Sequence, residues 1–354
     1  MAGSPPPNCA PCGTAEPPAE SRSQESPVAN RPSSESPVAL TESPVAFDTL
    51  RIPAVAYADV QDRMPSVQEK PVVRIAPNNP VFDLPVIVGI EERLFEAAGL
   101  DVAFSATYAD REKDHAERPI MSRLKEHLFE SGSADSYNVC EWASIDRLER
   151  GTRAGNIAAL RAAVAAQAIL TFDESLQVPR DLAGVPVVVQ ELTGSHYCTL
   201  QMLESAVGPE PVTIESGGLP QARWAALKNG AIRVATLMEP FVSLGLKEGA
   251  HVIAACFYRG GEVISPRLTA EQRTAYYAAE NAAVDRINAD FYKYAHHVTA
   301  HASGALQPHE LLRAFVRYKH VDYYDPVLFA RTYEWMKARG LTEGGSDHAS
   351  LIVG

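Results

Sequence analysis

No run of about 18 consecutive apolar residues occurs in this sequence, so no segment is predicted to cross a membrane. The N-terminus also lacks a basic stretch followed by an apolar one, the pattern of a secretory signal, and a cytoplasmic location is the expectation. Cations are in the minority: 32 Lys and Arg against 44 Asp and Glu give a formal net charge of −12. That balance argues against a nucleic-acid partner, which needs clustered Lys and Arg. It does not exclude an anionic ligand, because a local helix terminus can oppose the overall field. Cysteines are few and odd in number, Cys9, Cys12, Cys140, Cys198 and Cys256, which is not a disulfide framework and points to a reducing compartment. Cys9 and Cys12 form a C-x-x-C without a second ligand pair, so no metal or redox role is assigned to them.

What is present fits a two-lobed α/β protein. A chain of 354 residues with 46% hydrophobic residues can bury one large core or two moderate ones. Residues 1–66 are rich in Pro, Ser, Glu and Ala and hold three copies of Glu-Ser-Pro-Val-Ala, starting at Glu25, Glu35 and Glu42. Such a composition predicts a disordered low-complexity tail. The organising stretch is 181–203, DLAGVPVVVQELTGSHYCTLQML, which reads as a buried strand (185–190), a polar turn, and a helix opened by Thr193-Gly194-Ser195. A helix starting there leaves backbone N–H groups aimed beyond the strand end, a setting that favours a carboxylate, sulfonate or phosphate.

Elsewhere the pattern predicts a strand at 72–76, an exit turn at 77–80, and a helix at 85–98 closed by Gly99. A helix at 121–129, a strand at 136–142 and a helix at 143–150 follow. Residues 156–172 are alanine-rich and on propensity alone read as helix. Further on come a strand at 212–215, a helix at 220–229 and a strand at 233–239. Helices are expected at 268–303 (with a break), 308–320 and 326–340.

The phrases DLAG-x-P-V-x-V followed by TGSHY, GIEERLFEAAGLDVAF, LKNGAIRVATLMEPFVSLGLKEGAHVI and RYKHVDYYDPVLFARTYEWMKARGL resemble the solute-binding proteins of the sulfonate, taurine and nitrate type. The resemblance covers about residues 70–342 and extends to the synthase of the thiamine hydroxymethylpyrimidine and to a sulfinate desulfinase. It implies a type II periplasmic-binding-protein-like fold, each lobe a mixed sheet flanked by helices. Lobe 1 would occupy 70–172 and lobe 2 173–255; 256–342 would return to lobe 1 with C-terminal helices, and 343–354 would be a tail. On the same basis 156–172 becomes two crossover strands with a hinge at 171–174, and 256–262 the return crossing.

Ligands of such lobes bind beyond the carboxyl ends of the strands. By that rule the ligand-binding candidates are Asn78, Asn79, Trp142, Thr193, Gly194, Ser195, Glu239 and Arg259, and the candidates for proton transfer are Glu141, His196 and Cys140. Arg259, beside Gly260 and Gly261, is either an anion clamp or a turn salt bridge. His196 is either a neutral base at a helix start or a cap-adjacent imidazole. His297 and His301 share a helix face, but no third ligand accompanies them and no metal is assigned. The desulfinase resemblance implies a nucleophilic Cys in a motif like N-C-P-V, and this chain has Asn78-Asn79-Pro80-Val81, so that chemistry does not transfer. The sequence names no cofactor. The expected function is a cytoplasmic enzyme, of lyase or synthase type, acting on a small anionic or nitrogen-containing molecule in the cleft. The alternative is the non-catalytic substrate-binding component of an ABC importer for sulfonate-, nitrate- or pyrimidine-like solutes, with a permease as partner.

Overall fold

The computed structural model describes residues 70–113 and 118–353, so the low-complexity segment 1–66 with Cys9 and Cys12 lies outside the described residues. β1 (Val72–Ile75) pairs in parallel with β2 (Asp101–Phe104), and α1 (Pro80–Glu91) and α2 (Leu94–Ala97) connect them. α1 starts five residues before the expected helix, because Pro80 suits the first helical position, where no N–H is needed. Pro85 lies inside α1 and deprives the Val81 carbonyl of its donor. The Tyr318 hydroxyl replaces it, donating to Val81 O at 2.8 Å, and the helix continues.

α3 (Tyr108–Glu112) and α4 (Leu124–Glu130) lead to β3 (Ser136–Cys140), and α5 (Glu141–Arg150) begins where that strand ends. The alanine-rich segment forms one strand, β4 (Asn156–Thr171), where two strands were expected. Tertiary pairing overrides the helical propensity here, since β4 lies between a strand at 251–264 on one side and strands at 234–237 and 317–318 on the other. Its small side chains also let Leu84 and Val88 of α1 pack into the same core as Ala162 and Ala165.

The second lobe is built from β5 (Pro186–Val189), α6 (Gly194–Val207), β6 (Thr213–Ser216), α7 (Pro220–Lys228), β7 (Val234–Leu237) and α8 (Phe241–Lys247). β8 (His251–Ile264) then runs antiparallel to β4 along almost its whole length and rejoins β3. Its second half covers the expected return crossing. The strand order is β2-β1-β3-β8-β4-β7-β5-β6, with β9 (Arg317–Tyr318) added to β4. The lobes therefore share β4 and β8, whose register shifts between Leu160 and Val164. That irregularity lies about ten residues before the segment expected to be the hinge.

α9 (Ala270–Ala289) and α10 (Phe291–Thr299) break at Asp290, whose carboxylate accepts from Lys293 N. The helix expected at 308–320 is absent: two short 3-10 turns, Pro308–Glu310 and Arg313–Phe315, lead into β9. α11 (Pro326–Lys337) is capped by the Asp325 carboxylate. Residues 343–353, expected as a tail, are docked: α12 (His348–Leu351) is followed by Ile352, which bridges Ile157, and by Val353 N, which donates to Ile157 O at 3.1 Å.

Gly260 permits a close approach of β8 to β3, for a Cβ there would lie 1.9 Å from Val139 O and 2.8 Å from Arg161 Nε. Gly260→Ala is expected to lower the unfolding free energy by about 1–3 kcal/mol. Urea denaturation at unchanged m-value reads this directly, and an unaltered midpoint would refute the close approach.

Candidate functional site

The carboxyl ends of β1, β3, β5 and β7 converge on one cleft, as expected for parallel strands of a wound sheet. Asn78 and Asn79 enter it after β1, Cys140 at the end of β3, Thr193, Gly194 and Ser195 after β5, and Met238 after β7. The enclosed volume is about 60 Å³. Six of the sequence-derived candidates thus meet in one place.

The side chains that dominate the cleft were not among those candidates. Arg161 of β4 and Arg223 of α7 both reach it, although each residue is only 1% exposed. Arg161 is aimed by neutral groups: Nε donates to Ala163 O at 3.1 Å, Nη1 donates to Asn138 Oδ1 at 3.2 Å, and the guanidinium lies 4.1 Å from the Phe82 ring centroid. Its Nη2 is buried without a partner among the described residues. Asn138 is held in turn, donating to Asp83 Oδ1 at 2.6 Å and accepting from Asn78 Nδ2 at 2.8 Å. Asn78 therefore supports Arg161 through Asn138.

Arg223 is also tied to neutral acceptors, with Nε donating to Thr236 O at 3.1 Å and Nη1 to Gly218 O. Burial alone pulls its guanidinium down to about 9, which leaves it charged at neutral pH. Lys125, another cleft residue, is brought down to about 8 by burial, against the pull of Glu126. Arg147 pairs with Asp146, lies 3.4 Å from Glu126, and donates to Leu192 O across the lobes at 2.6 Å.

The turn before α6 differs in detail from a side-chain cap. The Thr193 hydroxyl donates to Gln190 O at 2.7 Å and Ser195 Oγ accepts from Gln190 N at 2.9 Å, so both hydroxyls close the turn. The N–H groups of Gly194 and Ser195, at the first helical positions, are left without intrahelical acceptors. Gly194 must be glycine, since a Cβ would lie 2.1 Å from the Tyr258 hydroxyl oxygen.

Five candidates lie elsewhere. Glu141 and Trp142 turn away because the helix starting at Glu141 rotates them from the direction of Cys140. Glu141 accepts from the Tyr324 hydroxyl at 2.8 Å and from Thr332, and Trp142 packs against Tyr197, Tyr258 and Trp335. Arg259 lines the same separate groove and donates to the carbonyls of Leu160, Arg161 and His320. Glu239 is directed at the start of α8, where it accepts from Ser243 N at 3.0 Å and Ser243 Oγ at 2.7 Å, and burial raises its carboxyl to about 7. His196 Nδ1 accepts from Leu192 N at 3.2 Å, and burial lowers its pKa. Cys140 does face the cleft, but burial pushes its thiol above the ordinary range. His297 and His301 contact different carboxylates, Glu91 and Glu112.

One signal pointed to the missed residues. Within 157–170, IAALRAAVAAQAIL, Arg161 and Gln167 are the polar side chains, and both line the cleft. Arg223 carried a weaker one, a cation close to Trp224 and Leu227 on a helix with a buried face.

No protein-family model matches this chain, and no curated protein matches it in sequence. Solved structures are similar in fold. The alkanesulfonate-binding protein SsuA from Xanthomonas axonopodis pv. citri, bound to MOPS, has a TM-score of 0.63 at 16% identity, over 80% of this chain and 98% of that one. The periplasmic aliphatic sulphonate binding protein SsuA from Escherichia coli gives 0.61 at 15% identity, over 80% and 97%. The desulfurization enzyme DSZB gives 0.53 at 14% identity, over 77% and 94%. With its shared crossing strands and its cleft at the strand ends, the chain thus has the two-lobed periplasmic-binding-protein fold.

Proposed function

We propose that this protein binds a small organic oxyanion between its lobes, as a receptor that delivers the solute to an importer's permease or senses it. The observation that carries this reading is the pair of buried guanidinium groups, Arg161 and Arg223, held only by neutral acceptors. A buried cation without a counter-ion is costly, and an anion in the cleft relieves that cost. The N–H groups of Gly194 and Ser195 add donors of the kind that anions accept. Two structural neighbours are sulfonate-binding proteins, which favours binding over reaction.

The enzymatic reading has less behind it. Glu141 and His196 are engaged outside the cleft, and Cys140 is a protonated thiol at neutral pH. Lys125 is the cleft group whose pKa of about 8 favours proton transfer. DSZB is an enzyme on the same fold, so Lys125 keeps this second reading in view.

Calorimetric titration with sulfate, phosphate, methanesulfonate and short carboxylates is expected to give saturable binding to at least one of them. Arg161→Gln and Arg223→Gln should each weaken the tightest by about 10- to 100-fold, the loss of a charge-assisted hydrogen bond. Variants that keep wild-type melting temperature and wild-type affinity would sink the proposal. In the folded protein Cys140 is expected to resist iodoacetamide at pH 7.5, read by peptide mass spectrometry; rapid alkylation there would revive a thiol mechanism.

A further inference from the structure

The positive charges of the cleft are not all in the same situation. Lys125 lies 3.9 Å from Glu126, and Arg147 faces both Glu126 and Asp146, the latter shared with Arg150, so carboxylates stand directly beside these cations. Arg161 and Arg223 form no ion pair with any described residue. They approach from different elements, Arg161 from the irregular part of β4, which both lobes share, and Arg223 from α7 of the second lobe. Of the buried acids, Glu262 of β8 acts on Arg161 through space, and burial together with the neighbouring Glu280 pushes its carboxyl above the ordinary range. Among the described residues neither guanidinium therefore has a carboxylate within ion-pairing distance, and Arg161 Nη2 still has a hydrogen to give.

We infer that the cleft is built for a small doubly charged oxyanion, a phosphate monoester or phosphonate, in preference to a singly charged sulfonate. A monoanion neutralises one guanidinium and leaves the other buried and unmatched. A dianion answers both, and its several oxygens accept from Arg161 Nη2, Arg223 and the Gly194 and Ser195 N–H groups. The volume of about 60 Å³ holds roughly four to six waters, enough for a tetrahedral headgroup with a short substituent. The inference rests on the anion-binding reading above and narrows it to one ligand charge.

Methyl phosphate and methyl sulfate separate charge from shape. They are close in size, but methyl phosphate gains a second negative charge above about pH 6, whereas methyl sulfate keeps one. The full chain is titrated with each at pH 7.5 and at pH 5. At pH 7.5 methyl phosphate is expected to bind at least about tenfold more tightly, and at pH 5 the two affinities should converge. Titration of Glu239, Lys125 or Glu280 affects both ligands, so the ratio isolates the ligand's own charge. Arg223→Gln should lower the pH 7.5 ratio toward one by weakening methyl phosphate more than methyl sulfate. Equal affinities at pH 7.5, or a preference for methyl sulfate, overturn the dianion inference and leave oxyanion binding standing. If neither ligand binds and no other oxyanion does, both the inference and the reading beneath it are refuted.

Discussion

The antiparallel pairing of β4 with β8 runs from Asn156 opposite Ile264 to Thr171 opposite His251, and both lobes are hung on it. At one end β3 attaches to β8 through residues 260–264; at the other, β7 attaches to β4 through residues 168–171. Buried backbone groups must stay paired, so relative movement of the lobes has to be absorbed where this ladder is already irregular. The register shifts at three places, between Ile157 and Ala159, between Leu160 and Val164, and between Ile169 and Leu170, and the middle one skips the most residues. Arg161 lies inside that middle shift, which puts a cleft-lining charge on a strand the two lobes share.

A guanidinium at that position needs support that does not cancel its charge. The surrounding residues meet this requirement with carbonyls and amides: Ala163 O and Asn138 Oδ1 hold Arg161, and Thr236 O and Gly218 O hold Arg223. Desolvation costs several kcal/mol per buried ion, so two guanidinium groups held by neutral acceptors keep the cleft positive. The acidic composition of the whole chain, −12, acts at longer range and is screened by salt. Global charge and local site have opposite signs, and over a few ångströms the local one prevails.

Much of the fold was legible because strand ends, helix caps and turns are local. The strand-turn-helix of 181–203 and the rule of carboxyl strand ends together selected Asn78, Asn79, Cys140, Thr193, Gly194 and Ser195. The rule failed one step later, at Glu141 and Trp142, because the chain turns helical there and each residue rotates the side chain by about 100°. The helix expected at 308–320 failed for another reason, since β4 offered an open edge and Arg317 and Tyr318 paired with Val164 and Ala163. Arg161 and Gln167 stood out as polar residues in an apolar run, but only the folded sheet reveals which side of the strand is the cleft.

The sequence left Arg259 as either an anion clamp or a turn salt bridge, and the structure gives it a further task. Within the β4 irregularity the carbonyls of Leu160 and Arg161 accept from Arg259, at 3.1 Å and 2.9 Å from its Nη2. Bulged strands need such outside donors, because the extra residues are left out of the ladder. The same nitrogen donates to His320 O at 2.6 Å, and Nη1 lies 3.6 Å from Asp322, both in the segment between β9 and α11. One guanidinium thus fixes the backbone that presents the other, and the C-terminal segment is coupled to the cleft without touching a ligand.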